Sequence, residues 1–288
     1  FRKSILKAYL AFTRPHTNNI DTSVPGYQLG SNRMFAALAG EYRMTSGRRF
    51  YSYLLREEDR SEEIPDDPAQ TYDYDATYLA FGADGELTNT FIYWGETVKQ
   101  WGQTPVSGTT ATARIDAFAF TLGTRWLPRV RMHPTVSFEF FSGSGDAERN
   151  SITNTLGGKS TTAVDKGFFH FSSPRLGLAF APRLSNIRVM RTSFSFKPFR
   201  DSRLTQSLLV NVVGSLYRKR KGSGAISDIR ASEDSKHIGS EIDLYVFWKL
   251  WPDLRTIFRF GRFSPGTAYP AAGRTRSLYT SLSVSVSF

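Results

Sequence analysis

The sequence predicts an all-β fold, a transmembrane antiparallel β-barrel of about twelve strands. Three observations carry that prediction: side chains alternate with a period of two, short and long connections alternate, and no run approaches about 18 uninterrupted apolar residues. The chain has 288 residues, 40% of them apolar, which is too much for a disordered chain and too evenly spread for helical membrane spans. It contains no cysteine, which removes disulfides, thiolate metal sites and thiol nucleophiles and suits an oxidising compartment. Its start at Phe1, without a basic-then-apolar leader, reads as a processed product or a fragment. A single domain over residues 1–288 is expected.

Taken in order, Lys3 to Thr13 sets Leu6, Ala8, Leu10 and Phe12 on one face against Lys3, Lys7 and Tyr9 on the other. MTSG at Met44 is a short turn. Thr71 to Ala80 sets Tyr72, Tyr74, Ala76 and Tyr78 against Asp73 and Asp75, and GADGE at Gly82 reads as the next short turn. From Arg114 to Leu122 the charges share parity with Phe118 and Phe120, so the facing of that strand stays open. Pro134 lacks the N–H that a ladder needs, so the strand through Val136, Phe138 and Phe140 begins at or after it. FRDSR at Phe199 and WPD at Trp251 are two further short turns. Glu241 to Leu250 opposes Ile242, Leu244, Val246, Trp248 and Leu250 to Glu241, Asp243, Tyr245, Phe247 and Lys249. Leu278 to Phe288 alternates most cleanly, with Leu282, Val284 and Val286 on one face and a row of serines on the other.

The long connections are Arg14 to Gly30, Glu57 to Gln70, Thr97 to Thr110, Ser142 to about Arg183, Arg218 to Lys236 and Ser264 to Thr275, and they all fall on one side of the sheet. An even number of strands with short turns on one side and long loops on the other is the plan of a bacterial outer-membrane barrel. Closure would also pair every backbone group, as lipid requires. The stretch 142–183 is too long for an idle loop, and it is expected to fold inward as a constriction or to add a hairpin, with FFHFSSPRLGLAF as the candidate. Tyr51, Tyr53, Tyr72, Trp94, Trp248, Trp251 and Phe288 are candidates for the aromatic girdles at the membrane surfaces.

If the apolar parity faces lipid, the other lines a lumen, and its charges decide what passes. The basic candidates are Arg33, Arg43, Arg56, Arg191, Lys249, Arg255 and Arg259, with Lys3, Lys7 and Lys197; the acidic ones are Asp73, Asp75, Glu96, Glu241 and Asp243, with Glu41 and Glu139. A tight WPD turn is expected to bring Arg255 and Arg259 opposite Glu241 and Asp243. Such a ladder either braces the wall or presents guanidinium donors to an anionic solute, and both roles are compatible. With 37 Lys+Arg against 26 Asp+Glu, the formal charge of +11 predicts a channel with a mild anion preference.

Several stretches carry a family resemblance. TYLAFGADGELTNTFIYWGETVKQWGQ, ARIDAFAFTLGTRWL and HPTVSFEFFSGSGDAE, with GSEIDLYVFWKLWPDLRTIFRFGRFSPG near the carboxyl end, resemble the alginate-export family of outer-membrane β-barrels over roughly Thr71 to Phe288. The landmarks are Tyr93 and Glu96, Asp116, Ser142 to Asp146, Glu241 with Asp243, and Ser264 to Gly266. The resemblance implies export of an acidic polysaccharide through an Arg-rich constriction. It also implies a barrel of up to about eighteen strands, with amino-terminal strands missing here or supplied elsewhere. Phe288, closing an alternating strand, resembles the signal by which barrel-assembly machinery recognises such proteins. After SGSGDAE this chain reads RNSITNTLGGKS where the family tends to be rich in aromatics and proline.

Other classes of function are less well supported. His16, His170 and His237 fall in or near loops and His133 beside a turn, and no Gly-flanked serine accompanies them, so the chain does not read as an enzyme; an outer-membrane hydrolase barrel remains the enzymatic alternative. No Gly-rich phosphate loop calls for a nucleotide, and no cofactor is expected. The positive charge is dispersed, which argues against nucleic acid. The runs EEDRSEEIPDD at Glu57 and RKRK at Arg218 read as solvated loop tips, or as contacts with lipopolysaccharide or a partner. A scaffold or anchor role in an envelope complex is the alternative to a free-standing channel.

Overall fold

The computed structural model describes residues 3–12, 33–59, 74–152, 158–169, 174–199, 202 and 205–287. Twelve strands follow one another along the chain: β1 (Lys3–Phe12), β2 (Arg33–Arg43), β3 (Arg49–Asp59), β4 (Asp75–Thr88), β5 (Phe91–Pro105), β6 (Thr112–Trp126), β7 (Thr135–Gly143), β8 (Ile187–Phe196), β9 (Leu209–Lys219), β10 (His237–Trp251), β11 (Leu254–Pro265) and β12 (Ser277–Val286). Each pairs antiparallel with the next, in sequence order from β1 to β12. β1 and β12 are the outermost strands, and no ladder joins them among the described residues. The twelve strands are therefore an open barrel wall, where closure was expected.

Register partners point to the same side of a sheet, so residues of known exposure fix the facing of a whole row. Leu55, Tyr78, Gln100 and Ala117 are successive partners on β3 to β6, and all four are buried. Leu10, Leu54, Leu122, Leu216, Ile242 and Leu282 have the opposite parity and are exposed. Large aliphatic side chains bare on one face of every neighbourhood of the sheet form the surface that hydrocarbon covers. The serines of β12 and the charges of β10 lie on the other face, as the alternation predicts.

That inner face is concave. One apolar cluster joins Leu55 on β3 to Phe263 on β11 through Phe168, Leu176, Phe180 and Leu184 of the insert between β7 and β8, whose described residues pack inside the wall. Phe168 meets Tyr78 of β4 edge-on at 6.5 Å, while Phe180 stacks on Phe263 of β11 at 4.4 Å. A flat sheet would place β3 and β11 about 40 Å apart at the usual strand spacing. Leu184 lines a cavity with Tyr53 of β3 and lies only four residues from Phe180, a reach of about 14 Å, so the wall is curled. The insert's described residues thus lie inside the wall, joined by single bridges from Lys159 to Val106, just past β5, and from Asp165 to Ile115 of β6. It adds no strand to the sheet among the described residues.

The structure corrects several details. GADGE is no turn: β4 runs through it, and the chain reverses at Asn89 and Thr90. β5 continues to Pro105, so most of Thr97 to Thr110 is strand. Tyr74, Ala76 and Tyr78 face inward, because the insert supplies apolar partners on that side, and the rule that oily side chains mean lipid fails there. The open facing of β6 resolves with Ala113, Ile115, Ala117 and Ala119 inward and Phe118 and Leu122 outward. Tyr51, Tyr53 and Trp94 are not girdle residues but lie on the inner face, where the rings of Tyr51 and Trp94 occupy the space a Cβ would need at the facing Gly82 and Gly123. Trp251 and Trp126, at the short-turn ends of β10 and β6, are exposed. Tyr72 and Phe288 lie outside the described residues.

Candidate channel lumen

At the long-loop end, the insert is held against the wall by charged groups. Glu241 on β10 faces inward, and its Oε1 accepts hydrogen bonds from the backbone N–H groups of Leu178 (2.8 Å) and Ala179 (2.6 Å). Phe180 N–H reaches its Oε2 at 3.1 Å. The Tyr217 hydroxyl lies 3.0 Å from the same oxygen and 2.9 Å from the Leu176 carbonyl, sharing its proton between wall and insert. Only glycine fits at Gly177, where a Cβ would stand 2.4 Å from Glu241 Oε2. A buried carboxylate with three or more donors is satisfied without a counter-ion, so Glu241 acts as a fastener.

On the opposite side of the insert, Arg149 is fully buried. Its Nε donates to Asp165 at 2.8 Å, Nη1 to the Ser151 carbonyl at 2.8 Å and Nη2 to Thr104 of β5 at 3.1 Å, while the guanidinium lies 4.4 Å from the ring centre of Phe169. Lys159, also buried, reaches Asp146 at 3.2 Å and Glu148 at 3.0 Å. Gln100 of β5 donates to the Tyr74 hydroxyl and accepts from Phe169 N–H at 2.9 Å. Asn186 ends the insert in a left-handed conformation (φ 51°), which asparagine tolerates, and its amide bonds the backbone of Lys221 and Gly224 in the next long loop.

Burial pushes Asp146 up, but the N–H groups of Lys166 and Glu148 and the Lys159 ammonium outweigh it and hold the carboxyl below its ordinary value of 3.8. A lowered acid stabilises the fold fully above that value, and the contribution is lost as pH falls through the lower, folded one. Protease cleavage within the insert is therefore expected to stay slow from neutral pH down to about pH 5 and to accelerate below about pH 4. A cleavage rate flat across that range would remove Asp146 as a clamp.

Beneath the insert the inner face opens into a cavity of about 520 Å³ lined by Tyr51, Tyr53, Trp94, Glu96, Phe141 and Phe168. Glu96 accepts from the Tyr51 hydroxyl at 2.8 Å and the Tyr53 hydroxyl at 3.2 Å. Toward the short turns the inner face becomes basic. Arg49 pairs with Asp84 at 2.6 Å and Arg43 with Glu41. Arg125 lies over the Trp94 ring, Arg259 donates to Ser283, and Lys249 and Arg255 face one another across β10 and β11. No carboxylate pairs with these last four cations among the described residues.

The residues expected at the lumen divide as follows. Arg43, Glu96, Arg191, Glu241, Asp243, Lys249, Arg255 and Arg259 have inward parity, while the side chain of Arg33 lies outside what the structure describes. Arg56 and Asp75 do not: they share the parity of exposed Trp101 and meet at 3.7 Å on the outer face near the long loops. Strand β4 is turned by its tyrosines, which carries Asp75 outward and Arg56 with it. Asp73 lies outside the described residues. The ladder of Glu241 and Asp243 with Arg255 and Arg259 does not form either. A tight turn at Pro252 and Asp253 pairs positions symmetric about it, which sets Glu241 opposite Phe263, Asp243 opposite Gly261, Tyr245 opposite Arg259 and Lys249 opposite Arg255. Arg191 instead approaches Glu139 at 3.7 Å. Both oxygens of Asp243 are buried without a hydrogen-bond partner. The sequence reading missed Arg149, Lys159, Asp165 and Arg125, because an isolated charge in an aperiodic loop or beside a turn carries no spacing signal.

A curled antiparallel wall, apolar outside and charged inside with a folded segment in its bore, defines an outer-membrane β-barrel channel. The family model for alginate export matches residues 14–281, and the chain belongs to that family. No curated protein matches it by sequence. Among solved structures it is similar to the NanC porin, at 7% identity over 99% of each chain with a TM-score of 0.39. It is also similar to the toluene transporter TodX of Pseudomonas putida, at 10% identity over 98% of this chain and 77% of the other with a TM-score of 0.37.

Proposed function

We propose that the chain passes a hydrophilic, anionic solute across the outer membrane by passive diffusion, through a bore that the insert narrows at the long-loop end. The observation that carries this reading is the set of inward cations near the short turns, Arg125, Lys249, Arg255 and Arg259, which have no carboxylate partner among the described residues. Most inward carboxylates are already engaged or buried: Glu96 with two tyrosines, Glu241 with the insert, Asp84, Glu41 and Glu139 with arginines, and Asp243 fully buried, which leaves exposed Glu86 against these four cations near the short turns. Unpaired cations in a narrow aqueous passage with low-dielectric walls raise the local concentration of anions. Membership in a family for alginate export supports an acidic polysaccharide as the solute class.

Reversal potentials in a KCl gradient across a planar bilayer test this. Chloride preference is expected, and it should diminish in the Arg255→Gln, Arg259→Gln double variant. Cation selectivity in the unaltered protein would overturn the reading.

A further inference from the structure

The RKRK run beginning at Arg218 is divided by the strand's own geometry. Lys219 faces inward and is buried, donating to the carbonyls of Gly222, Ala231 and Glu233, so it builds the loop. Arg218 points the other way, onto the outer wall, where its register partner is Arg188 of β8. Both are exposed. Arg220 joins them: its Nη1 donates at 2.9 Å to Ser142, itself the register partner of Arg188, and its guanidinium lies 5.0 Å from the ring centre of the outward Phe118. Burial and the neighbouring charge of Arg188 both act to lower the Arg220 pKa.

Two features make this cluster unusual for a surface. Like charges directly opposite on adjacent strands repel, yet no carboxylate forms an ion pair with Arg188, Arg218 or Arg220 among the described residues. The next outward pair down the same two strands is Met190 with Leu216, both about half exposed, at 49% and 54%. The guanidinium groups therefore crown the apolar band, at the long-loop end, which in outer-membrane barrels faces the outer leaflet.

We infer that Arg188, Arg218 and Arg220 form a binding site for the phosphate groups of an outer-leaflet glycolipid of the lipid A type, whose acyl chains lie along Met190 and Leu216. Arginine forks match phosphate oxygens bidentately, and an anion between the facing pair converts repulsion into attraction. The inference rests on the membrane placement of the wall and not on the solute, so it stands or falls separately from the reversal potentials.

The test is native mass spectrometry of the full chain in detergent, titrated with lipid A, with lipid A lacking its phosphates, and with inorganic phosphate. Lipid A is expected to bind, and the Arg188→Gln, Arg218→Gln variant to bind it at least about tenfold more weakly, as loss of charged hydrogen bonds implies. The unphosphorylated lipid should bind no better to the unaltered protein than to the variant. Without lipid, the variant's unfolding temperature should be no lower, since a repulsive pair has been removed, and its ion selectivity should be unchanged. Equal lipid A affinity in protein and variant, or equal affinity for the two lipids, would overturn the site. Displacement of lipid A by an equal concentration of inorganic phosphate would overturn the assignment to a lipid.

Discussion

Arg149→Ala is expected to release the insert from the wall while leaving the strands assembled. The side chain is buried with Asp165, bridges to Thr104 of β5 and covers the face of Phe169, so its removal strands a buried carboxylate and opens a gap beside an aromatic ring. Breaking one partner out of a buried pair costs about 3–5 kcal/mol. The loss is local, because the ladders of β5 and β6 do not depend on the guanidinium. Hydrogen exchange should show it as lost protection in residues 144–152 and 158–169 and at Asp116 and Phe118, whose N–H groups donate to the insert, with the other strand amides unchanged. Replacing both partners, as Arg149→Met with Asp165→Leu, should recover much of the protection, since an apolar pair of similar volume leaves no charge unpaired. Protection that survives Arg149→Ala would mean that the insert is held by its apolar contacts alone.

The second large effect is expected at Glu241. Glu241→Ala leaves the N–H groups of Leu178, Ala179 and Phe180 without their acceptor in a buried site, and the Tyr217 hydroxyl with the Leu176 carbonyl alone. Each unsatisfied buried group costs about 1–3 kcal/mol, so the segment is better solvated than packed. It should leave the bore, and single-channel conductance should rise severalfold. Glu241→Gln keeps an acceptor oxygen but offers those donors no charge, and it should fall between the two. Unaltered conductance in Glu241→Ala, with the variant folded, would show that the segment does not set the width of the passage.

The parts of this architecture that repeat were readable from the chain. Period-two segments such as Glu241 to Leu250 and Leu278 to Phe288 gave strands, and their parity gave the inner and outer faces, because a strand in lipid has one solvent on each side. Pro134 marked a strand start, and for the long stretch after Ser142 an inward constriction or an added hairpin was expected; its described residues pack on the buried face of the wall and add no strand to the sheet. Reading failed where the two-solvent rule fails. Around Tyr74 to Tyr78 the inner face meets protein, so apolar residues occupy it and Asp75 and Arg56 are turned out. The expected ladder at the WPD turn failed on register, which follows from counting residues from the turn. Glu241 was identified as an inward charge, yet its partners are backbone N–H groups about sixty positions away, which no local pattern announces.

The central claim is that hydrocarbon lies on one side of this wall and an aqueous passage on the other. The chain has no cysteine, so single thiols can be placed at neighbouring positions without background. Thr121 lines the cavity, and Leu122, the next residue, is exposed on the outer face of the same strand. In reconstituted protein, Thr121→Cys should react with a small, charged, water-soluble thiosulfonate and lose conductance, while Leu122→Cys should be protected by the bilayer. Rapid modification at Leu122→Cys with Thr121→Cys untouched would contradict the account.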